Sequence, residues 1–99
     1  MTQEQRLEVL RVLYRVGPLY IGRLVFAILH ERNNFPVWML TAIEHGWMPP
    51  KTWKTKERSQ IASVIRGLID DHEIIIDGEW RLCYPRGAPP LRIIAEQAT

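Results

Sequence analysis

A chain of 99 residues can enclose one modest hydrophobic core but not two. Hydrophobic residues make up 46% and charged residues 24%, a globular balance that excludes disorder throughout, and the formal net charge of +2 permits an anionic partner without demanding one. Cys83 is the single cysteine, which excludes an internal disulfide and the usual zinc sites.

The start, Met1-Thr2-Gln3-Glu4-Gln5, is polar and partly acidic, unlike the basic opening and apolar run of a signal peptide. The longest apolar runs, such as Leu24 to Leu29, fall far short of the roughly 20 residues a membrane helix needs. The expectation is a cytoplasmic protein without membrane contact. Leu7, Val9, Leu10, Val12, Leu13 and Val16 recur at helical steps between Gln5, Arg6, Glu8, Arg11 and Arg15, predicting a first helix over residues 2–16. Thr2 and Gln5 form a capping-box pattern, and Gly17-Pro18 stops the helix. Leu19-Tyr20-Ile21-Gly22 is room for a bridge or a very short strand.

A second helix follows, with Leu24, Val25, Ile28 and Leu29 inward and Arg23, His30, Glu31 and Arg32 outward, ending at Asn33-Asn34. Phe35 to His45, with Val37, Met39, Leu40 and Ile43 apolar, predicts a further helical piece closed by Gly46. Trp47 to Trp53 is a loop because Met48-Pro49-Pro50 interrupts regular structure. Ile61, Val64, Ile65, Leu68 and Ile69 then form one continuous stripe, predicting a helix over 55–71 capped by Thr52 or Thr55. Residues 73–76 and 79–84 flank Asp77-Gly78, the signature of a hairpin with a type I′ turn, with Trp80, Leu82 and Tyr84 sharing one strand face. Arg86-Gly87-Ala88-Pro89-Pro90 is a rigid connector, and Leu91 to Ala98 has room for two turns of helix with Leu91, Ile94 and Ala95 on one side.

The order helix, bridge, helix, helical piece, long helix, hairpin resembles the winged helix-turn-helix superfamily over about residues 2–85. The stretches that carry the likeness are Ser59-Gln60-Ile61-Ala62-Ser63-Val64-Ile65-Arg66-Gly67-Leu68-Ile69 and Ile74-Ile75-Ile76-Asp77-Gly78-Glu79-Trp80-Arg81-Leu82. The resemblance implies an α+β fold: a small winged helix of three to four helices, a C-terminal two-stranded β-hairpin wing, and a short tail helix. It implies a domain at 1–85, with a tail at 86–99 used in packing or dimerisation. It also implies that the helix before the wing enters the major groove of duplex DNA. Where family members often carry glycine after that helix, His72 or Glu73 must serve here, and the segment from Asn33 to Lys54 is longer than a tight turn.

Lys51, Lys54, Lys56, Arg58 and Arg66 face a single acid, Glu57, within their stretch of sequence. With the apolar stripe turned inward, Thr55, Lys56, Ser59, Gln60 and Ser63 are left outside. The expected DNA contacts are therefore Lys51, Lys54, Thr55, Lys56, Arg58, Ser59, Gln60, Ser63, Arg66 and Arg81. Lys54, Lys56 and Arg58 would hold phosphates, and Gln60 and Ser63 would read bases. Arg81 or Arg86 would touch the backbone from the wing, whose acidic tip (Asp77, Glu79) is repelled by phosphate.

The expected role is transcriptional regulation, with duplex DNA as partner, and with helix 2–16 and the tail as the dimer surface. The alternative is a protein-interaction winged helix, an adaptor or inhibitor using the acidic wing (Asp70, Asp71, Glu73, Asp77, Glu79) and the tryptophan loop. A third reading has Trp47 and Trp53 stacking on single-stranded bases. Trp38, Trp47, Trp53 and Trp80 are expected mainly to cover the core. No phosphate loop, nucleophile elbow or paired-histidine motif occurs; His30, His45 and His72 lie on different elements, and Cys83 reads as a small apolar group. No enzyme activity, cofactor or metal is expected.

Overall fold

The computed structural model of the chain describes residues 2–32, 36–85 and 93–94. The fold is α+β: helices α1 (Gln3–Val16), α2 (Ile21–Glu31), α3 (Val37–Glu44) and α4 (Thr55–Asp70) precede the antiparallel hairpin β1 (Ile75–Ile76) and β2 (Leu82–Cys83). Among the described residues no helix is long and apolar enough to cross a membrane.

The capping box of α1 forms as its sequence implies. The Thr2 hydroxyl accepts from the Gln5 amide at 3.1 Å, and the Gln5 side chain accepts from the Thr2 amide at 2.9 Å. Gly17, at φ +78°, closes the helix. The bridge reduces to one residue: the Leu82 amide donates to the Leu19 carbonyl at 2.7 Å, adding Leu19 to the free side of β2, and α2 begins at Ile21, before Leu24. The α3 helix spans Val37–Glu44, shorter than the expected Phe35 to His45; Phe35 lies outside the described residues.

Helices α1, α2 and α4 pack pairwise around the core, and the hairpin closes one side. Val9, Leu10, Val12 and Leu13 meet Leu24 through Leu29, together with Ile61, Val64, Ile65 and Leu68, while Ile74, Leu82 and Tyr84 seal the edge. Burial of six successive residues in α2 makes it the central helix. The phenol of the buried Tyr84 donates to the Leu10 carbonyl, and burial together with nearby Tyr14 raises its pKa. Val16 is exposed, so the buried stripe of α1 ends a turn early.

Three local expectations change. First, α4 is not capped by Thr52 or Thr55. Its N-cap is Lys54, held at φ +47° without a side-chain cap, while the Thr55 hydroxyl donates to the Lys51 carbonyl at 2.8 Å. Second, the hairpin turn is not type I′. Gly78 does not take positive φ; Trp80 does, at +65°. The Trp80 amide reaches the Asp77 carbonyl, and the Asp77 amide reaches the Arg81 carbonyl, so three residues form the loop and the third is left-handed. Trp80 consequently leaves the face it was expected to share with Leu82 and Tyr84 and is 78% exposed. Third, the buried tail residue is Ile93, not Ile94, which is exposed; Leu91 and Ala95 lie outside the described residues.

Helices α3 and α4 end in the same way. The amides of Gly46 and Trp47 reach the carbonyls of Ile43 and Ala42, and those of His72 and Glu73 reach Ile69 and Leu68, both Schellman arrangements. Gly46 occupies the left-handed position at φ +96°, and His72 occupies the equivalent one at +59°. A left-handed non-glycine residue costs about 1–2 kcal/mol, part of which the greater freedom of unfolded glycine cancels. His72→Gly is therefore expected to stabilise the protein by about 1 kcal/mol, seen as a higher urea midpoint at unchanged m. An unchanged or lower midpoint would mean that the imidazole contributes a compensating contact.

Candidate nucleic-acid interface

The stripe Ile61, Val64, Ile65, Leu68 fixes the rotation of α4. Helical geometry then sends Thr55, Lys56, Ser59, Ser63 and Arg66 to the opposite side, and all five are exposed. Gln60 is exposed on the flank toward α1, where it lines a crevice of about 220 Å³ with Gln5 and Ser63. Lys51 is exposed and Lys54 half-buried in the preceding loop, with the Lys54 ammonium 5.7 Å from the centre of the Trp53 ring. Of the residues expected to touch DNA along 51–66, Thr55, Lys56, Ser59, Ser63 and Arg66 share the outer side of α4, Gln60 lies on its flank, and Lys51 lines a groove with Thr55, Arg58 and Ser59.

Arg58 points back into the protein. Its Nη1 donates to the carbonyls of Pro50 at 3.2 Å and Trp53 at 3.0 Å, and its guanidinium lies 5.1 Å over the Phe26 ring. It braces the loop that carries Lys51 and Lys54 rather than projecting outward beside Lys56. Arg81 is also engaged, pairing with Asp77 at 3.1 Å and Glu79 at 3.3 Å. Arg86 lies outside the described residues.

Charge pairing divides the surface in two. Away from the α4 face, most arginines and acids neutralise one another, although among the described residues Arg23 and Glu44 form no ion pair. Arg11 meets Glu4, Arg15 meets Glu31, Arg6 meets Asp71 and Glu73, and Arg32 spans Glu8 on α1 and Glu57 on α4. Hydrogen bonds donated to Glu8 and then to Glu57 raise the Arg32 pKa, and a bond donated to Asp71 foremost does the same for Arg6. Glu57, the acid opposing the basic run in sequence, is thus bound on the far flank of its helix. Among the described residues Lys51, Lys54, Lys56 and Arg66 meet no carboxylate within ion-pair distance.

The tip of the acidic wing is satisfied by its own Arg81, whereas among the described residues Asp70 meets no cation within ion-pair distance. The Asp77 carboxylate accepts from the amides of Arg81 at 2.9 Å and Glu79 at 2.8 Å and from the Arg81 guanidinium, contacts that lower its pKa, the Arg81 amide most. Asp71 and Glu73 are held by Arg6.

The tryptophans do not mainly cover the core. Only Trp53 does, half-buried with its ring stacked 6.3 Å from Phe26, which leaves it poorly placed to stack on a base. Trp38 is 61% exposed and lies 6.0 Å from the Trp47 ring, and Val37 and Met48, each 65% exposed, belong to the same two segments. The alternative reading anticipated an exposed tryptophan surface, but not the share of Val37 and Met48 in it. The signal was that α3 is apolar at nearly every position, more than one buried face can use. His30, His45 and His72 sit on different elements, and the described residues hold no group of three or more His, Cys, Asp or Glu arranged to bind a metal. Comparison with protein-family models, curated proteins and solved structures finds no match.

Proposed function

We propose that this is a small winged-helix domain that reads duplex DNA through α4 and acts as a transcriptional regulator. The observation that carries the reading is the segregation of charge. Glu4, Glu8, Glu31, Glu57, Asp71, Glu73, Asp77 and Glu79 are taken up by arginines, while among the described residues Lys51, Lys54, Lys56 and Arg66, around the outer face of α4, meet no carboxylate within ion-pair distance. The element order and the addition of Leu19 to β2 support the same architecture.

In this reading Lys51, Lys54, Lys56 and Arg66 lie along phosphates, while Ser59, Gln60 and Ser63 present donors and acceptors to base edges. Arg58 holds the loop in place for the two lysines. Arg81 would reach a phosphate only by exchanging its carboxylate partners, so the wing adds little attraction. Two copies on a palindromic site would double these contacts.

Binding to a random-sequence duplex pool, followed by fluorescence anisotropy over a salt series, tests the proposal. Affinity should fall steeply with salt, and Lys56→Ala/Arg66→Ala should flatten the log–log slope by about two units, one per lost phosphate contact. An unchanged slope would sink the assignment. Absence of binding at low salt would favour the second reading, a protein partner seated on Val37, Trp38, Trp47 and Met48, since exposed tryptophan is enriched at interface hot spots.

A further inference from the structure

Between α2 and the N-terminal half of α4 runs an open groove of about 310 Å³. Its floor is Gly22, Val25, Phe26 and Ala62, and its rim carries Lys51, Thr55, Arg58 and Ser59. The volume lies at the lower end of the range for small-molecule sites, and the composition fits that class, an apolar floor with a few convergent polar groups. The rim has two cations and two hydroxyls and no carboxylate, so the complementary ligand carries negative charge on a compact apolar body.

Two details make this more than a surface dent. Arg58 is already positioned: Nη1 is committed to the Pro50 and Trp53 carbonyls, while Nε and Nη2 make no hydrogen bond among the described residues. A guanidinium fixed in this way can meet an anion with little further loss of side-chain freedom. Gly22 is the second detail. It is the second residue of α2, where glycine is a poorer helix former than alanine, though by less than in a helix interior. Neither backbone nor packing requires it here, since its φ is not left-handed and an added Cβ would meet nothing within 4 Å. Its missing side chain keeps the groove floor open.

We propose that this groove binds a small aromatic carboxylate, its ring against Val25 and Ala62 and its carboxylate on Arg58 and Lys51. Lys51, Thr55 and Ser59 also belong to the face assigned to DNA, so a bound anion would compete with DNA; that consequence alone rests on the DNA reading.

The test is a titration of the ¹⁵N-labelled full chain with 1-naphthoate, without DNA, so its outcome is independent of whether DNA binds. Saturable shifts are expected at the amides of Gly22, Ser59 and Ala62, with half-saturation below about 1 mM. The neutral isostere 1-naphthalenemethanol should bind at least about tenfold more weakly, having lost the charge-assisted contact. Gly22→Leu, which places a side chain in open space and improves helix propensity, should remain folded and abolish the shifts. Three results would each overturn the proposal: no saturable shift with 1-naphthoate, equal binding of the alcohol, or undiminished binding to Gly22→Leu.

Discussion

Ile93→Ala is expected to destabilise the protein by about 3 kcal/mol, whereas Ile94→Ala should change stability by less than about 1 kcal/mol. The two are adjacent helical residues about 100° apart around the axis, and one turns fully into the core while the other is exposed. Ile93 joins the cluster built by α1, α2, α4 and the hairpin, so removing its side chain leaves a void among residues already held by their own helices. In that setting the surroundings relax little, and the loss includes a cavity term beyond simple transfer. For a chain of this size the melting temperature should fall by more than about 10 °C. Urea unfolding of both variants measures the contrast. Equal effects would mean that Ile93 does not belong to the core.

Arg32→Met is the second large effect, expected to cost about 2 kcal/mol. Arg32 is the C-cap residue of α2, and its guanidinium bonds both oxygens of Glu8 and one oxygen of Glu57 at 2.9 Å, joining three helices at one point. All three side chains are a little over a quarter exposed, so the figure lies between that of a surface pair and that of a fully buried one. Methionine keeps the aliphatic stem but leaves two carboxylates without their shared cation. Two further measurements isolate this cause. Part of the deficit should return in 1 M salt, which screens the Glu8–Glu57 repulsion, and Glu8→Gln/Glu57→Gln in the Arg32→Met background should recover most of it. A loss unaffected by either would locate the effect in packing of the stem instead.

Much of the helical framework was legible in the residues themselves. Thr2 and Gln5, the periodic apolar positions of α1 and α4, and Gly17 and Gly46 act through contacts within four residues, so the local sequence dictated both ends of α1 and the end of α3. The inward stripe of α4 also determined its outward set, which is why Lys56, Ser59, Ser63 and Arg66 could be placed together before any tertiary contact was known.

Only the tertiary structure decided which charges remain available. Glu57 looks like the neighbour of Lys56 and Arg58 in sequence, yet it is claimed by Arg32 from another helix, and Arg58 turns to backbone carbonyls instead of solvent. It also decided that Trp80 takes a left-handed position usual for glycine, that Trp38 and Trp47 stay outside, and that Ile93 goes in. The physical reason is common to all of them. Periodicity and capping record what a residue meets one turn away, whereas ion-pair choice, burial of a tail and exposure of a ring depend on which distant segment arrives first-hand at the same place.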